Sequence, residues 1–214
     1  MVLLMVVACL VQAPETLDVT AVGKGARWQV AGRTTAVVDT NGKHALRLIE
    51  VAPIMGLVWL KDYDFGDGTI EIDLLGRTQP VQGSFLGVAF HVADAQTYEA
   101  VYFRPFNFRA ADSTRHSHAV QYVAHPGFPW QKLRSEHPGQ YEAAVIPEPD
   151  GDQWFHVRVV VARPKVSVFV NDAPTPALVV NELSDRGGAR GSVGVWVGDG
   201  SAGVFANLRV TRKP

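Results

Sequence analysis

Phe155-His156-Val157-Arg158-Val159-Val160-Val161-Ala162, then Arg163-Pro164, then Lys165-Val166-Ser167-Val168-Phe169-Val170, reads as two β-strands joined by a short turn. Successive side chains of a strand point to opposite faces, so a period of two marks a ribbon with one face on a core. Phe155, Val157, Val159 and Val161 share one face, and His156 and Arg158 take the other. Val166, Val168 and Val170 alternate in the same way with Lys165, Ser167 and Phe169. Downstream, Val193, Val195 and Val197 alternate with Gly194 and Trp196. Gly198-Asp199-Gly200 then turns the chain toward Val204, Ala206, Leu208 and Val210. Upstream, Asp67-Gly68 precedes Thr69-Ile70-Glu71-Ile72-Asp73-Leu74, whose isoleucines and Leu74 oppose Glu71 and Asp73. Leu86, Val88 and Phe90 form the inner face of another strand, with Phe85, Gly87, Ala89 and His91 opposite. Val101 and Phe103 oppose Ala100, Tyr102 and Arg104, and in the strand at 118–125 Gln121 and His125 share a face. Helical periodicity over a dozen residues is hard to find. About ten alternating strands without helices to cover a sheet predict an all-β fold of antiparallel sheets, a sandwich or a closed barrel.

Composition agrees and excludes other classes. Lys and Arg total 20 against 21 Asp and Glu, a formal charge of -1, which argues against a nucleic-acid binder. Hydrophobic residues make up 47% and charged residues 19%, so a core is affordable and disorder is excluded. The lone Cys9 can form no internal disulfide and no thiolate-built zinc site. Residues 1–11, Met1-Val2-Leu3-Leu4-Met5-Val6-Val7-Ala8-Cys9-Leu10-Val11, fall short of the roughly 20 apolar residues of a membrane span, so no transmembrane helix is expected. Their length suits the apolar part of a secretory signal, although the basic leader is missing. Val6-Val7-Ala8-Cys9 is similar to a loose bacterial lipobox, which would put a lipid anchor on Cys9. Residues 1–13 are therefore read as a signal or lipoprotein segment of a secreted, periplasmic or lipid-anchored protein. The alternative is an apolar strand with a buried cysteine. No low-complexity linker divides residues 14–214, which form a single domain.

One segment breaks the strand rhythm, a long insertion around 105–149. A stretch of that length inside a compact domain is usually functional. Arg104, Arg109, Arg115, Lys132 and Arg134 crowd it, with His116, His118, His125 and His137, and nine of the twenty aromatic residues fall between Tyr98 and Tyr141. Sugars present hydroxyls at the edge and C–H faces above and below the ring. A site for them combines a flat aromatic with forked donors and amides. Tyr102, Arg104, Asn107, Gln121, His125 and Trp130 are of those types, and His91 shares a face with the small residues Gly87 and Ala89, a low floor for a flat ligand. The competing explanation is a satellite core that holds the insertion down, with the small residues relieving crowding on a curved sheet.

Other patterns carry less. His116-x-His118 offers two imidazoles on one strand face, but spacing fixes no third ligand. Asp62, Asp64 and Asp67 could hold a structural calcium with backbone carbonyls, yet their spacing fails the helix–loop–helix template and solvated turn acids account for them. No metal and no cofactor is assigned. Glu71 and Asp73, two residues apart on a strand, project on one side about 6–7 Å apart along the backbone, a spacing that suits an acid and a nucleophile across a glycosidic bond. Two surface acids on an amphipathic strand give the same pattern.

Phe65-Gly66-Asp67-Gly68-Thr69-Ile70-Glu71-Ile72-Asp73-Leu74, Phe85-Leu86-Gly87-Val88-Ala89-Phe90-His91, Tyr98-Glu99-Ala100-Val101-Tyr102-Phe103-Arg104-Pro105 and Gly194-Val195-Trp196-Val197-Gly198 resemble the concanavalin A-like lectin/glucanase superfamily. More narrowly, they resemble its laminin-G-like and 3-keto-disaccharide-hydrolase-like bacterial domains. The resemblance implies a jelly-roll sandwich of two curved antiparallel sheets and a carbohydrate ligand. Its family 16 glycoside hydrolases carry Glu-x-Asp-x-x-Glu. Here Glu71 and Asp73 match the first two positions and Gly76 stands at the third, which removes the proton donor. The expected function is an exported carbohydrate-recognition domain that binds a glycan on a concave sheet face. The alternatives are a glycoside hydrolase acting through Glu71 and Asp73, and a structural protein-interaction domain.

Overall fold

The computed structural model describes residues 12–24, 27–51, 53–182 and 190–213. The apolar segment at 1–11, with the proposed anchor at Cys9, lies outside the described residues. In chain order the strands are β1 (Glu15–Thr16), β2 (Trp28–Ala31), β3 (Arg33–Thr40), β4 (Lys43–Glu50), β5 (Gly56–Leu60), β6 (Gly68–Leu75), β7 (Leu86–Val92), β8 (Tyr98–Phe103), β9 (Val120–His125), β10 (Glu142–Ala143), β11 (Phe155–Ala162), β12 (Lys165–Val170), β13 (Leu178–Val180), β14 (Ser192–Val197) and β15 (Gly203–Arg212). Two short helices, α1 (Ser113–Ser117) and α2 (Trp130–Glu136), interrupt them. Among the described residues no helix is long and apolar enough to cross a membrane.

One sheet runs β13-β12-β11-β6-β15-β4-β3, with β1 added alongside β15; the other runs β10-β9-β8-β7-β14-β5-β2. The pairings are antiparallel, and strands far apart in sequence lie side by side, as β6 does with β15 and β7 with β14. The result is a jelly-roll sandwich. Ile70, Ile72 and Leu74 of β6 and Val157, Val159 and Val161 of β11 pack in one core with Leu86, Val88 and Phe90 of β7 and Val101 and Phe103 of β8. These are the inward positions that the alternation predicts.

The two outer faces differ. β11 alternates buried and half-exposed residues, as a strand with one wet face does. Every residue of β7, β8 and β14 is buried. The outer face of the seven-stranded sheet is therefore covered at its centre. The insertion contains α1, β9, α2 and β10 rather than one long irregular loop, and β9 and β10 extend this sheet at one edge.

His91 departs from the alternation that put it beside Gly87 and Ala89. Its backbone takes a φ of 49° where the β7–β14 register shifts between Ser192 and Gly194. The ring turns into the core: Nδ1 lies 2.9 Å from Glu99 Oε1 and Nε2 lies 2.7 Å from the Gly66 carbonyl, with the side chain 1% exposed. Tyr122 donates its hydroxyl to the other Glu99 oxygen at 2.7 Å. His91 is thus part of a buried polar cluster, removed from the outer face on which a ligand was expected.

Candidate functional site

On the outer face of the seven-stranded sheet, register aligns Trp196, Gly87, Tyr102, Gln121 and Glu142 in one row across β14, β7, β8, β9 and β10. Strands two apart are separated by about 9.5 Å. The rings of Trp196 and Tyr102 nevertheless approach to 4.8 Å between centroids, so both lean over Gly87. A Cβ at Gly87 would stand 2.0 Å from the Val101 carbonyl oxygen and 2.6 Å from the Tyr102 Cα. The glycine thus does not leave a bare floor. It lets two aromatic rings form one. Trp196 Nε1 donates to the Tyr98 hydroxyl at 2.9 Å, and Tyr98 lies against the His125 ring at 5.1 Å between centroids.

The insertion builds the wall. Asp112 caps α1 by accepting from the Arg115 backbone N–H at 2.7 Å, a role for which a short carboxylate is suited. Leu133 is the buried residue of α2, and Arg134 of the same helix pairs in a fork with Glu142 on β10, its Nε donating at 2.7 Å. Trp130 at the start of α2 is held by Arg134, whose guanidinium lies 4.8 Å over its ring, and is 40% exposed. Floor and wall enclose a cleft of ≈ 530 Å³ lined by Tyr102, Trp196, Phe85, Trp130, Arg104, Asn107, Arg115, His118, His125 and Arg134, with Met55 and Asp199 at other points of its rim. That is the size and the mixture of apolar surface with a few polar groups that small-molecule sites show.

Arg104 is the organising side chain. It leaves β8 at its end and is 6% exposed. Nη2 donates to the Tyr102 hydroxyl at 2.7 Å and to Gln121 Oε1, and Nη1 donates to the His118 carbonyl at 2.8 Å. Tyr102 in turn donates to Gln121 Oε1 at 2.9 Å. Asn107 Nδ2 donates to the same His118 carbonyl at 3.2 Å and its Oδ1 accepts from Arg115 Nε at 3.2 Å. Burial lowers the Arg104 pKa and pushes the Tyr102 hydroxyl up to about 12. Burial also lowers His118, although Glu142 lies 3.3 Å from its Nε2, and the cations Arg134 and Arg104 add to that lowering.

Of the residues expected to bind a ligand, Tyr102, Arg104, Asn107, His125 and Trp130 line this cleft, and Gln121 lies buried in the network that holds Arg104. His91 is elsewhere. Glu71 and Asp73 sit on the outer face of the other sheet. There Asp73 accepts from His156 Nδ1 at 2.8 Å, Lys43 Nζ at 2.6 Å and Asn207 Nδ2 at 2.6 Å, and Glu71 lies 3.6 Å from His156 Nε2. Burial alone would raise Asp73, but those three donors outweigh it and hold the carboxyl well below the usual range. His116 and His118 fall at the end of α1, not on a strand, and face different carboxylates, Glu148 and Glu142. Asp64 and Asp67 pair with Arg190 and Arg163. Sequence reasoning missed Trp196, Phe85 and the Arg134–Glu142 fork. The outward position of Trp196 beside Gly194 was the available signal for the first. The fork joins a helix to a two-residue strand and left no periodic trace.

With this geometry, solved structures of the same architecture are informative. A protein of unknown function with a galectin-like fold from Bacillus subtilis superposes with a TM-score of 0.56 at 15% identity, over 86% of this chain and 89% of that one. The carbohydrate-binding module CBM66 from Bacillus subtilis gives a TM-score of 0.58 at 14% identity, over 85% and 92%. The fold is the concanavalin A-like jelly roll. The exoplasmic/lumenal domain of VIP36 in its Ca2+/Man3GlcNAc-bound form shares it, with a TM-score of 0.55 at 11% identity over 87% and 86%. No protein-family model and no curated protein matches the sequence.

Proposed function

We propose that this protein is a carbohydrate-recognition domain whose site is the cleft between the Tyr102–Trp196 floor and the α2 wall. One observation carries the proposal: a half-exposed indole, Trp130, lines the same cleft as two floor rings and a buried guanidinium network. A pyranose needs an apolar plane for its C–H face and fixed donors for its hydroxyls, and the cleft supplies both. The shared fold with a carbohydrate-binding module and with a saccharide-bound lectin domain supports it. The apolar run at 1–11 supports placing the protein outside the cytoplasm.

Screening the folded protein on a glycan array and titrating the hits by calorimetry tests this. Trp130→Ala should keep the fold and weaken binding roughly tenfold, the equivalent of ~1.4 kcal/mol. A folded protein that binds no saccharide, or binding that Trp130→Ala leaves unchanged, would overturn the assignment.

A further inference from the structure

We infer that the saccharide taken by this cleft carries an anionic substituent, a carboxylate or a sulfate ester, seated between Arg104 and Arg115. The inference rests on the carbohydrate assignment of the same cleft and specifies the class of sugar.

The charges lining the cleft are unequal. Arg104, Arg115 and Arg134 line it, and Asp199 is the carboxylate among the lining residues. Arg134 is satisfied by its fork with Glu142. Among the described residues, Arg104 and Arg115 make no ion pair, and neither does Asp199. Arg115 is exposed and spends its side chain on neutral acceptors, the Asn107 amide oxygen and the Phe106 carbonyl at 3.1 Å. Arg104 is buried, and the carboxylate whose charge reaches it, Glu142, is taken up by the fork with Arg134, so positive charge is left over at the cleft.

The hydrogen-bond inventory identifies what is missing. Arg104 has five N–H groups, and three of them meet acceptors: the Tyr102 hydroxyl, Gln121 Oε1 and the His118 carbonyl. Its Nε–H and one Nη1–H meet none among the described residues. Gln121 is fully buried, and its Nε2 also lacks a partner. Flipping the amide offers no relief, because it would set the NH2 against the Arg104 donor. The Tyr102 hydroxyl has already given its proton to Gln121. The network therefore holds a surplus of donors with positive charge behind them, and lacks an acceptor. A neutral hydroxyl would satisfy the geometry but leave the charge. A carboxylate or sulfate satisfies both, and its planar or forked oxygens match guanidinium donors.

Calorimetry with matched ligands separates the outcomes. Oligogalacturonate, its methyl ester, a sulfated galactose oligomer and the neutral galactose oligomer are titrated at low and raised salt. At least one anionic ligand should bind roughly tenfold more tightly than its neutral counterpart, with the advantage shrinking as salt screens it. Arg115→Gln, at an exposed position, should remove most of that advantage by weakening the anionic ligand more than its neutral counterpart. Arg104→Gln, checked as folded by circular dichroism, should weaken the anionic ligand more than the neutral one and so also shrink the advantage. Tight binding by the carboxylated ligand alone or by the sulfated one alone identifies the source of the charge. Equal affinity of both anionic ligands and their neutral counterparts, with Trp130 still required, overturns this inference and leaves the carbohydrate assignment standing. No binding of any saccharide overturns both.

Discussion

The rings of Tyr102 and Trp196 meet at 4.8 Å over Gly87, although the strands that carry them are not neighbours. Position 87 lies between them in the row and has no side chain. Gly87→Ala would set a Cβ 2.0 Å from the Val101 carbonyl oxygen, and backbone, not a flexible side chain, would have to yield. The expected loss is about 2–4 kcal/mol in urea unfolding, with saccharide binding lost as the rings part. A variant within about 0.5 kcal/mol of the parent would contradict this role.

Tyr102→Phe removes a hydroxyl that accepts from Arg104 and donates to Gln121, and it leaves the ring in place. Stability should fall by about 1–2 kcal/mol, since a buried donor on Arg104 loses its acceptor. The same burial predicts a spectroscopic signature. Tyr63, Tyr98 and Tyr102 have their hydroxyls pushed up to about 12, so alkaline absorbance titration should leave these three protonated well above pH 10, where a free tyrosine ionises. Complete ionisation of the five tyrosines in a single step near pH 10 would refute the burial argument.

The Asp73–His156 pair makes stability depend on pH in a definite direction. The hydrogen bond to Asp73 raises His156 above its ordinary 6.5, so its contribution is complete below about pH 6.5 and is lost as pH rises through the raised value. Asp73 is held below its ordinary 3.8, so its contribution is present above about pH 3.8 and is lost as pH falls through the lowered value. His156→Gln should therefore cost about 1–2 kcal/mol near pH 5.5 and progressively less toward pH 9. A penalty that does not change with pH would mean that His156 is not ionised in the pair. Because this cluster lies on the other sheet, Glu71→Gln should leave saccharide affinity unchanged.

The strands and the core were legible because the hydrophobic period is local. Val157, Val159 and Val161 fall on one face whatever the rest of the chain does, and they are buried there. Residues 85–90 and 98–103 read as alternating strands with one inner face, and in the fold β7 and β8 are buried on both faces. The site was legible only by composition. Arg104, Asn107 and Trp130 stood out as donors and a flat ring inside an insertion, and they line one cleft. His91 was misplaced because alternation assumes regular backbone, and a positive φ at a register shift turns a side chain to the other face. Trp196 stood on the outward face of its strand and was passed over because it lies far along the chain from the insertion. The surplus of donors around Gln121 depends on which groups meet across β8, β9 and the 3-10 turn Pro105–Asn107, which no spacing along the chain encodes.

The indole N–H resonances of the five tryptophans give the most direct test of where the ligand sits. Trp130 and Trp196 line the cleft, and Trp154 lies at the other sheet, with Lys43 5.5 Å from its ring. Each resonance is assigned by single substitution, and the protein is then titrated with the tightest saccharide from the array. The account predicts that the Trp130 signal shifts and saturates together with the Trp196 signal, while Trp154 stays fixed. A titration that moves Trp154 and leaves Trp130 in place would contradict it.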